Sequence, residues 1–111
     1  MSTKVIDNPG ARRYDLFVDD ELAGGADYEL SDGRIAIMHV EVESSRAGHG
    51  LGGKLVAAVL ADARGRGLSV LPFCPFARKV IADHQDDYLD LVPADEREVF
   101  ELPSPGVTRK P

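Results

Sequence analysis

The spacing of apolar side chains changes once along this chain, close to residue 43, and the change divides it into two kinds of structure. Before that point the pattern is strand-like, in short runs separated by turn residues. Val5–Asn8 ends at Pro9-Gly10, and Arg12–Val18 ends at the cluster Asp19-Asp20-Glu21. Leu22–Leu30 follows, and Ser31-Asp32-Gly33 then marks a hairpin, because Asp-Gly accepts the positive φ angles of a tight turn. Arg34–Val42 completes the meander, with strict alternation placing Ile35, Ile37, His39 and Glu41 on one face and Ala36, Met38, Val40 and Val42 on the other. Gly24-Gly25, inside the third run, predicts a bulge or a close backbone approach.

After residue 43 the period becomes helical. Leu51, Leu55, Val56, Val59, Leu60 and Ala63 form one apolar stripe, which Gly65 and Gly67 stop. Leu68–Phe73 is apolar and of strand length, so with the helix before it this region reads as a βαβ unit whose two strands are parallel neighbours. A second helix is predicted from Pro75, with Phe76, Val80, Ile81 and His84 on one face. Tyr88–Val92 reads as a last strand. The expected class is α+β: a mixed sheet, antiparallel meander first and a βαβ unit after it, with a central helix and a second helix. One domain is expected over residues 1–102, with the Pro-rich residues 103–111 as a tail of little structure.

Composition narrows the setting. A chain of 111 residues, 43% apolar, has room for one core. No apolar run approaches the roughly 20 residues of a membrane span, and Met1–Asp7 lacks the apolar stretch of a signal peptide. Cys74 is the only cysteine, so no internal disulfide forms and a reducing cytoplasm is expected. The net charge of −6 is unevenly spread, with a balance of −6 over residues 1–45, +5 over 46–82 and −5 over 83–111. A basic centre between acidic flanks suits a small polyanion and does not suit long nucleic acid.

The segment Arg46-Ala47-Gly48-His49-Gly50-Leu51-Gly52-Gly53-Lys54, between a strand and an amphipathic helix, gives that polyanion a place. Glycines let a ligand approach the backbone, and the first N–H groups of the helix point at it with the positive end of the helix dipole. It is not a nucleotide P-loop, because Gly53-Lys54 is followed by Leu55 and not by Ser or Thr. Gly48, Gly50 and Gly53 match G-x-G-x-x-G, but a dinucleotide fold places that motif after the first strand of a parallel sheet, with an acidic residue about 20 positions on. Here a meander comes first and the later position is Leu71-Pro72-Phe73-Cys74.

The run Val42–Gly52 resembles the acetyl-CoA-binding motif R/Q-x-x-G-x-G/A of the GNAT superfamily of N-acetyltransferases. Leu71-Pro72-Phe73-Cys74-Pro75-Phe76, with His84 and Tyr88-Leu89-Asp90-Leu91 further on, is similar to a minimal subgroup with a Pro-x-Cys-Pro element after the fifth strand, and His39 matches a histidine of that group's fourth strand. The chain departs from the pattern at Ala47, where the superfamily has Arg or Gln, and at Val40, where the subgroup has Thr. It also lacks the helical region that larger members insert after the first strand.

The resemblance implies that acetyl-CoA is the co-substrate and that the fourth and fifth strands splay apart. The pantetheine arm would then lie along Val40, Glu41 and Val42, with the pyrophosphate over Ala47, Gly48, His49, Gly50, Leu51, Gly52 and Gly53. An amine would attack the thioester, which requires a base for its proton and an acid for the leaving thiolate. Cys74, before Pro75 and close to Arg78 and Lys79, reads either as an acetyl-accepting or proton-donating thiol favoured by a helix N-terminus and cations, or as a small buried apolar residue. Glu41 and His39 are the candidate bases, each with a plain structural alternative, and His84 reads as a core histidine. No metal is expected. A polyamine or a protein lysine is the acceptor that the acidic meander favours. The alternative to an acetyltransferase is a non-catalytic CoA-binding module that regulates a partner.

Overall fold

The computed structural model describes residues 2–46 and 48–102. Strands β1 (Thr3–Asn8), β2 (Arg13–Val18), β3 (Glu21–Ser31) and β4 (Arg34–Val42) form an antiparallel meander. Helix α1 (Leu51–Gly65) crosses to β5 (Ser69–Pro72), which lies parallel to β4, so the sheet order is β1-β2-β3-β4-β5. Helices α2 (Pro75–Asp83) and α3 (Gln85–Tyr88) follow. The expected mixed sheet, hairpins and βαβ unit are all present.

Local chemistry accounts for the joints. Two of the three meander hairpins turn through two residues of positive φ, Asp19-Asp20 (49° and 70°) and Asp32-Gly33 (51° and 76°), residue types that tolerate the left-handed region. Helix α1 ends in paired 6→1 and 5→2 bonds, Leu68 N–H to Ala63 O and Gly67 N–H to Arg64 O, with Gly67 at φ 70°. Its buried stripe is Leu51, Leu55, Val56, Val59, Leu60 and Ala63, the six residues that the sequence pattern selects. They pack on Tyr14, Leu16 and Val18 of β2, Ile35 and Ile37 of β4, and Val70 of β5.

The Tyr14 and Tyr28 rings lie 5.1 Å apart, with their hydroxyls in a polar network. Tyr14 donates to Asp62 of α1, Tyr28 donates to Asp7 at 2.6 Å, and Arg66 reaches both carboxylates, so β1 is tied to α1. Burial and then the acceptor carboxylates push both phenols up, Tyr28 to about 12.

Three expectations are corrected. Alternation along β4 is broken at Met38, the extra residue where Asp27 pairs His39 but Tyr28 pairs Ile37. The bulge reverses the faces beyond it: Ile35 and Ile37 enter the core, Val40 and Val42 then pack on the core side, and His39 and Glu41 are exposed on the other face. Tyr88–Val92 is not a strand. It is the end of α3 and a 3-10 turn over Leu89–Leu91, because Tyr88, Leu91 and Val92 also fit a helical spacing, and Asp86 and Asp87 suit a helix N-terminus. His84 is not in the core: α2 ends at Asp83, His84 is its exposed C-cap, and the buried residues of α2 are Ala77 and Ile81. The proposed tail, 103–111, lies outside the described residues.

The Gly24-Gly25 signal has both predicted consequences. Ala23 is the extra residue of a second bulge, against β2. A Cβ on Gly24 would lie 2.3 Å from the Glu41 carbonyl oxygen, so β3 and β4 approach each other as only glycine permits.

Candidate functional site

The site forms where β4 outruns β5. The two strands pair from Arg34–Ser69 to Ile37–Pro72, and the Cys74 N–H then donates to Ile37 O at 2.9 Å. Beyond that bond the chain turns into α2, while β4 continues to Val42 held only by β3. The backbone edge of Val40–Val42 therefore faces a gap and not a neighbouring strand.

The glycine loop closes one end of the gap. Gly48 and Gly50 have φ of 89° and 68°, and Gly50 is the N-cap of α1, with no side chain to cap the helix. The first intrahelical bond of the loop runs from Lys54 N–H to Gly50 O, so the amides of Leu51, Gly52 and Gly53 have no partner within the helix. The result is a cleft of about 330 Å³ between the β4 edge, the loop and the first turn of α2. Val40, Glu41 and Val42 form one wall, Gly48, Gly50, Leu51, Gly52 and Gly53 the second, and Arg46 and Phe76 complete it. A backbone strand edge, uncapped helix amides and apolar side chains together suit an extended ligand with an anionic end.

Most of the expected binding residues meet here. His49 is exposed and does not line the cleft, and Ala47 lies outside the described residues. Arg46 and Phe76 were not among the expected binding residues. The sequence places Phe76 on an apolar helix face but does not point it at the ligand; it reaches the cleft because α2 starts at the point where β4 and β5 part.

The candidate chemical groups are less concentrated. Glu41 lines the cleft, and its carboxylate lies 3.4 Å from the Arg13 guanidinium, which also holds Asp15 and Asp27 at 3.1 and 3.2 Å. His39 is exposed beside Asp27 on the open sheet face and outside the cleft lining. Cys74 is the N-cap of α2 as expected, but it is 5% exposed and belongs to the core.

The basic centre of residues 46–82 is also largely used inside the molecule. Arg46 pairs with Glu21 and Glu43, Arg64 with Asp90, Arg66 with Asp7 and Asp62, and Lys79 with Asp83. Hydrogen bonds to Glu43 and Glu21 raise the Arg46 guanidinium above its ordinary value, so it remains charged, with both carboxylates attached. Arg64 and Arg66 sit at the far end of α1, about 20 Å from the loop at 1.5 Å per residue. The loop amides, more than side-chain cations, are what the cleft offers an anion.

An antiparallel meander, a parallel βαβ crossover, strands parted at the crossover and an uncapped glycine start to the central helix define the acetyltransferase fold. The GCN5-related N-acetyl-transferase family model matches residues 13–91, and the chain belongs to that family. Among solved structures, a GCN5-like acetyltransferase candidate from Staphylococcus aureus is 24% identical with a TM-score of 0.61, over 81% of this chain and 87% of that one. The ribosomal-protein-alanine N-acetyltransferase of Brucella melitensis biovar Abortus is 19% identical with a TM-score of 0.51, over 73% of this chain and 61% of that one. These likenesses concern the fold. The N-acetylglutamate synthase of Neisseria gonorrhoeae, complexed with coenzyme A and N-acetyl-glutamate, is 25% identical with a TM-score of 0.49, and the chain spans only 15% of its length. No curated protein matches the sequence.

Proposed function

We propose that this protein transfers the acetyl group of acetyl-CoA to an amine, with the coenzyme in the cleft between β4 and α1. The observation that carries the reading is the conjunction of a free strand edge, Val40–Val42, with three amides at the α1 start that have no partner among the described residues. The edge offers strand-like hydrogen bonds to the amides of a pantetheine arm, and Gly48–Gly53 offers backbone donors to the pyrophosphate. Val40, Val42, Leu51 and Phe76 supply apolar contact to the arm. Acetyl-CoA brings an activated acetyl thioester; the chain holds it and manages the protons of the amine and the departing thiol.

Glu41 is the proposed base, as the one acidic residue in the β4 segment that walls the cleft, a role that requires its carboxylate to leave Arg13 on the open face, where His39 also lies. Cys74 is the proposed proton donor or acetyl-accepting thiol, a role that requires its burial to be relieved locally. It also carries the resemblance to the minimal subgroup with a Pro-x-Cys-Pro element. A cationic acceptor, a polyamine or a protein lysine, suits the acidic meander, and a reducing cytoplasm suits the lone thiol.

A second reading is a CoA-binding module without catalysis. The burial of Cys74 and the hold of Arg13 on Glu41 favour it. One series of experiments separates the readings. CoA should raise the melting temperature, since a ligand of the folded state alone stabilises it, and Gly50→Val should remove that rise. Mass spectrometry of polyamines and lysine peptides incubated with acetyl-CoA then detects transfer. Binding without transfer selects the module, and no binding at all refutes the cleft assignment.

A further inference from the structure

The acetyl-CoA motif that the loop resembles accepts Gly or Ala at its last position, which in this chain is Gly52, and the structure gives a reason why this protein keeps glycine. A Cβ built on Gly52 would lie 3.1 Å from both Cε2 and Cζ of Phe76, closer than carbon atoms normally pack. The aromatic ring thus rests on the bare backbone of the first turn of α1. Phe76 is 41% exposed although it is a large apolar residue, and its exposed part lines the cleft. Its position is fixed from behind: Cys74 is bonded to the last paired residue of β4, Pro75 starts α2, and Ala77 is fully buried. The ring therefore shares the cleft with Val40 and Val42 of the free edge, with its near side resting on Gly52.

We propose that Phe76 is a positioning residue that fixes the width of the cleft, and that Gly52 serves this chain by leaving room for its ring. This rests on the reading of the cleft as the coenzyme site. The ring has solvent and the cleft on its open side, so a methyl group at position 52 moves it by a few tenths of an ångström toward Val40 and Val42 and narrows the passage for a pantetheine-sized arm.

The test is a double-mutant cycle of wild type, Gly52→Ala, Phe76→Ala and the double variant, with CoA affinity by calorimetry and melting temperature without ligand. Gly52→Ala should weaken CoA about tenfold in the wild-type background, the scale of an overpacked contact. Placed on Phe76→Ala it should cost nothing further, and the melting temperature should show the same coupling. Equal losses in both backgrounds would mean that Gly52 acts through its own backbone, and no loss in wild type would mean that the ring does not limit the cleft; either overturns the inference. If wild type does not bind CoA, the coenzyme reading fails, while coupled melting temperatures would still establish the Gly52–Phe76 contact.

Discussion

Gly24→Ala should be among the most damaging single-methyl additions to this protein. The added Cβ would lie 2.3 Å from the Glu41 carbonyl oxygen, 2.9 Å from Val42 Cα and 3.2 Å from the Glu41 carbonyl carbon. All three are backbone atoms of β4, so no rotamer change relieves the contact. Ordinary packing needs roughly 1 Å more than the shortest of these distances. β3 is held by β2 on its other side, so the contact is relieved only by moving the Glu41–Val42 end of β4 into the gap that its free edge borders. Overpacking of this kind costs about 1–3 kcal/mol, and because the neighbour is backbone and no side chain can swing aside, about 2 kcal/mol is expected even after alanine's advantage over glycine of roughly 0.5–1 kcal/mol. A chain of this size should lose about 4–8 °C of melting temperature per kcal/mol, so a fall of roughly 10 °C is expected. Gly25→Ala is the control. The nearest atoms to its Cβ belong to the end of the Arg13 side chain, at 2.5 Å, which swings away and gives up partly exposed ion pairs worth about 0–1 kcal/mol. Urea unfolding followed by circular dichroism compares the two. Because Glu41 and Val42 line the cleft, Gly24→Ala should also weaken CoA more than Gly25→Ala does. Equal stabilities for the two variants would refute the close approach of β3 and β4.

The tyrosine network makes a pH prediction. Tyr28 is raised to about 12 in the folded protein and Tyr14 is raised further, so their contribution is complete below the ordinary phenol value near 10 and is lost as pH rises through the folded values. Stability should fall from pH 10 upward, and Tyr14→Phe with Tyr28→Phe should flatten that limb while lowering neutral stability by about 1 kcal/mol per lost bond; an unchanged alkaline limb would contradict the network. CoA affinity should depend only weakly on salt, because most cations of residues 46–82 are already paired and the loop binds through amides; a steep salt slope by calorimetry would show that free side-chain charges dominate. Cys74→Ala should cost about 1–2 kcal/mol as a core truncation and leave CoA affinity intact. Labelling of Cys74 by iodoacetamide that acetyl-CoA slows would support a chemical role, and slow labelling that acetyl-CoA leaves unchanged would assign it to packing.

Much of this protein follows from local pattern. The stripe from Leu51 to Ala63 needs only one periodicity over four turns, and Gly67 ends it by a local rule. The hairpins at Asp19-Asp20 and Asp32-Gly33 depend on residues that tolerate positive φ, whatever surrounds them. The glycine loop is likewise legible, because an unpaired helix start with no side chains in the way is a property of six consecutive residues.

What the sequence left open depends on contacts between distant segments. Nothing near Met38 announces a bulge; it arises from how β4 registers on β3, and it alone turns His39 and Glu41 to the open face. Tyr88, Leu91 and Val92 satisfy both a strand and a helical turn, and the Arg64 side chain, hydrogen-bonded to Asp87 O and the Asp90 carboxylate, adds a tie from α1 to the helical form. The charge count of residues 46–82 could not show that Arg46 and Arg66 are taken up by acids 25 and 59 positions away. Phe76 entered the site, and Cys74 the core, because a four-residue β5 ends where a nine-residue β4 continues. Local sequence sets turns, caps and amphipathic faces, since those energies lie between neighbours; register, pairing and the position of the gap belong to the tertiary structure, where segments far apart in the chain meet.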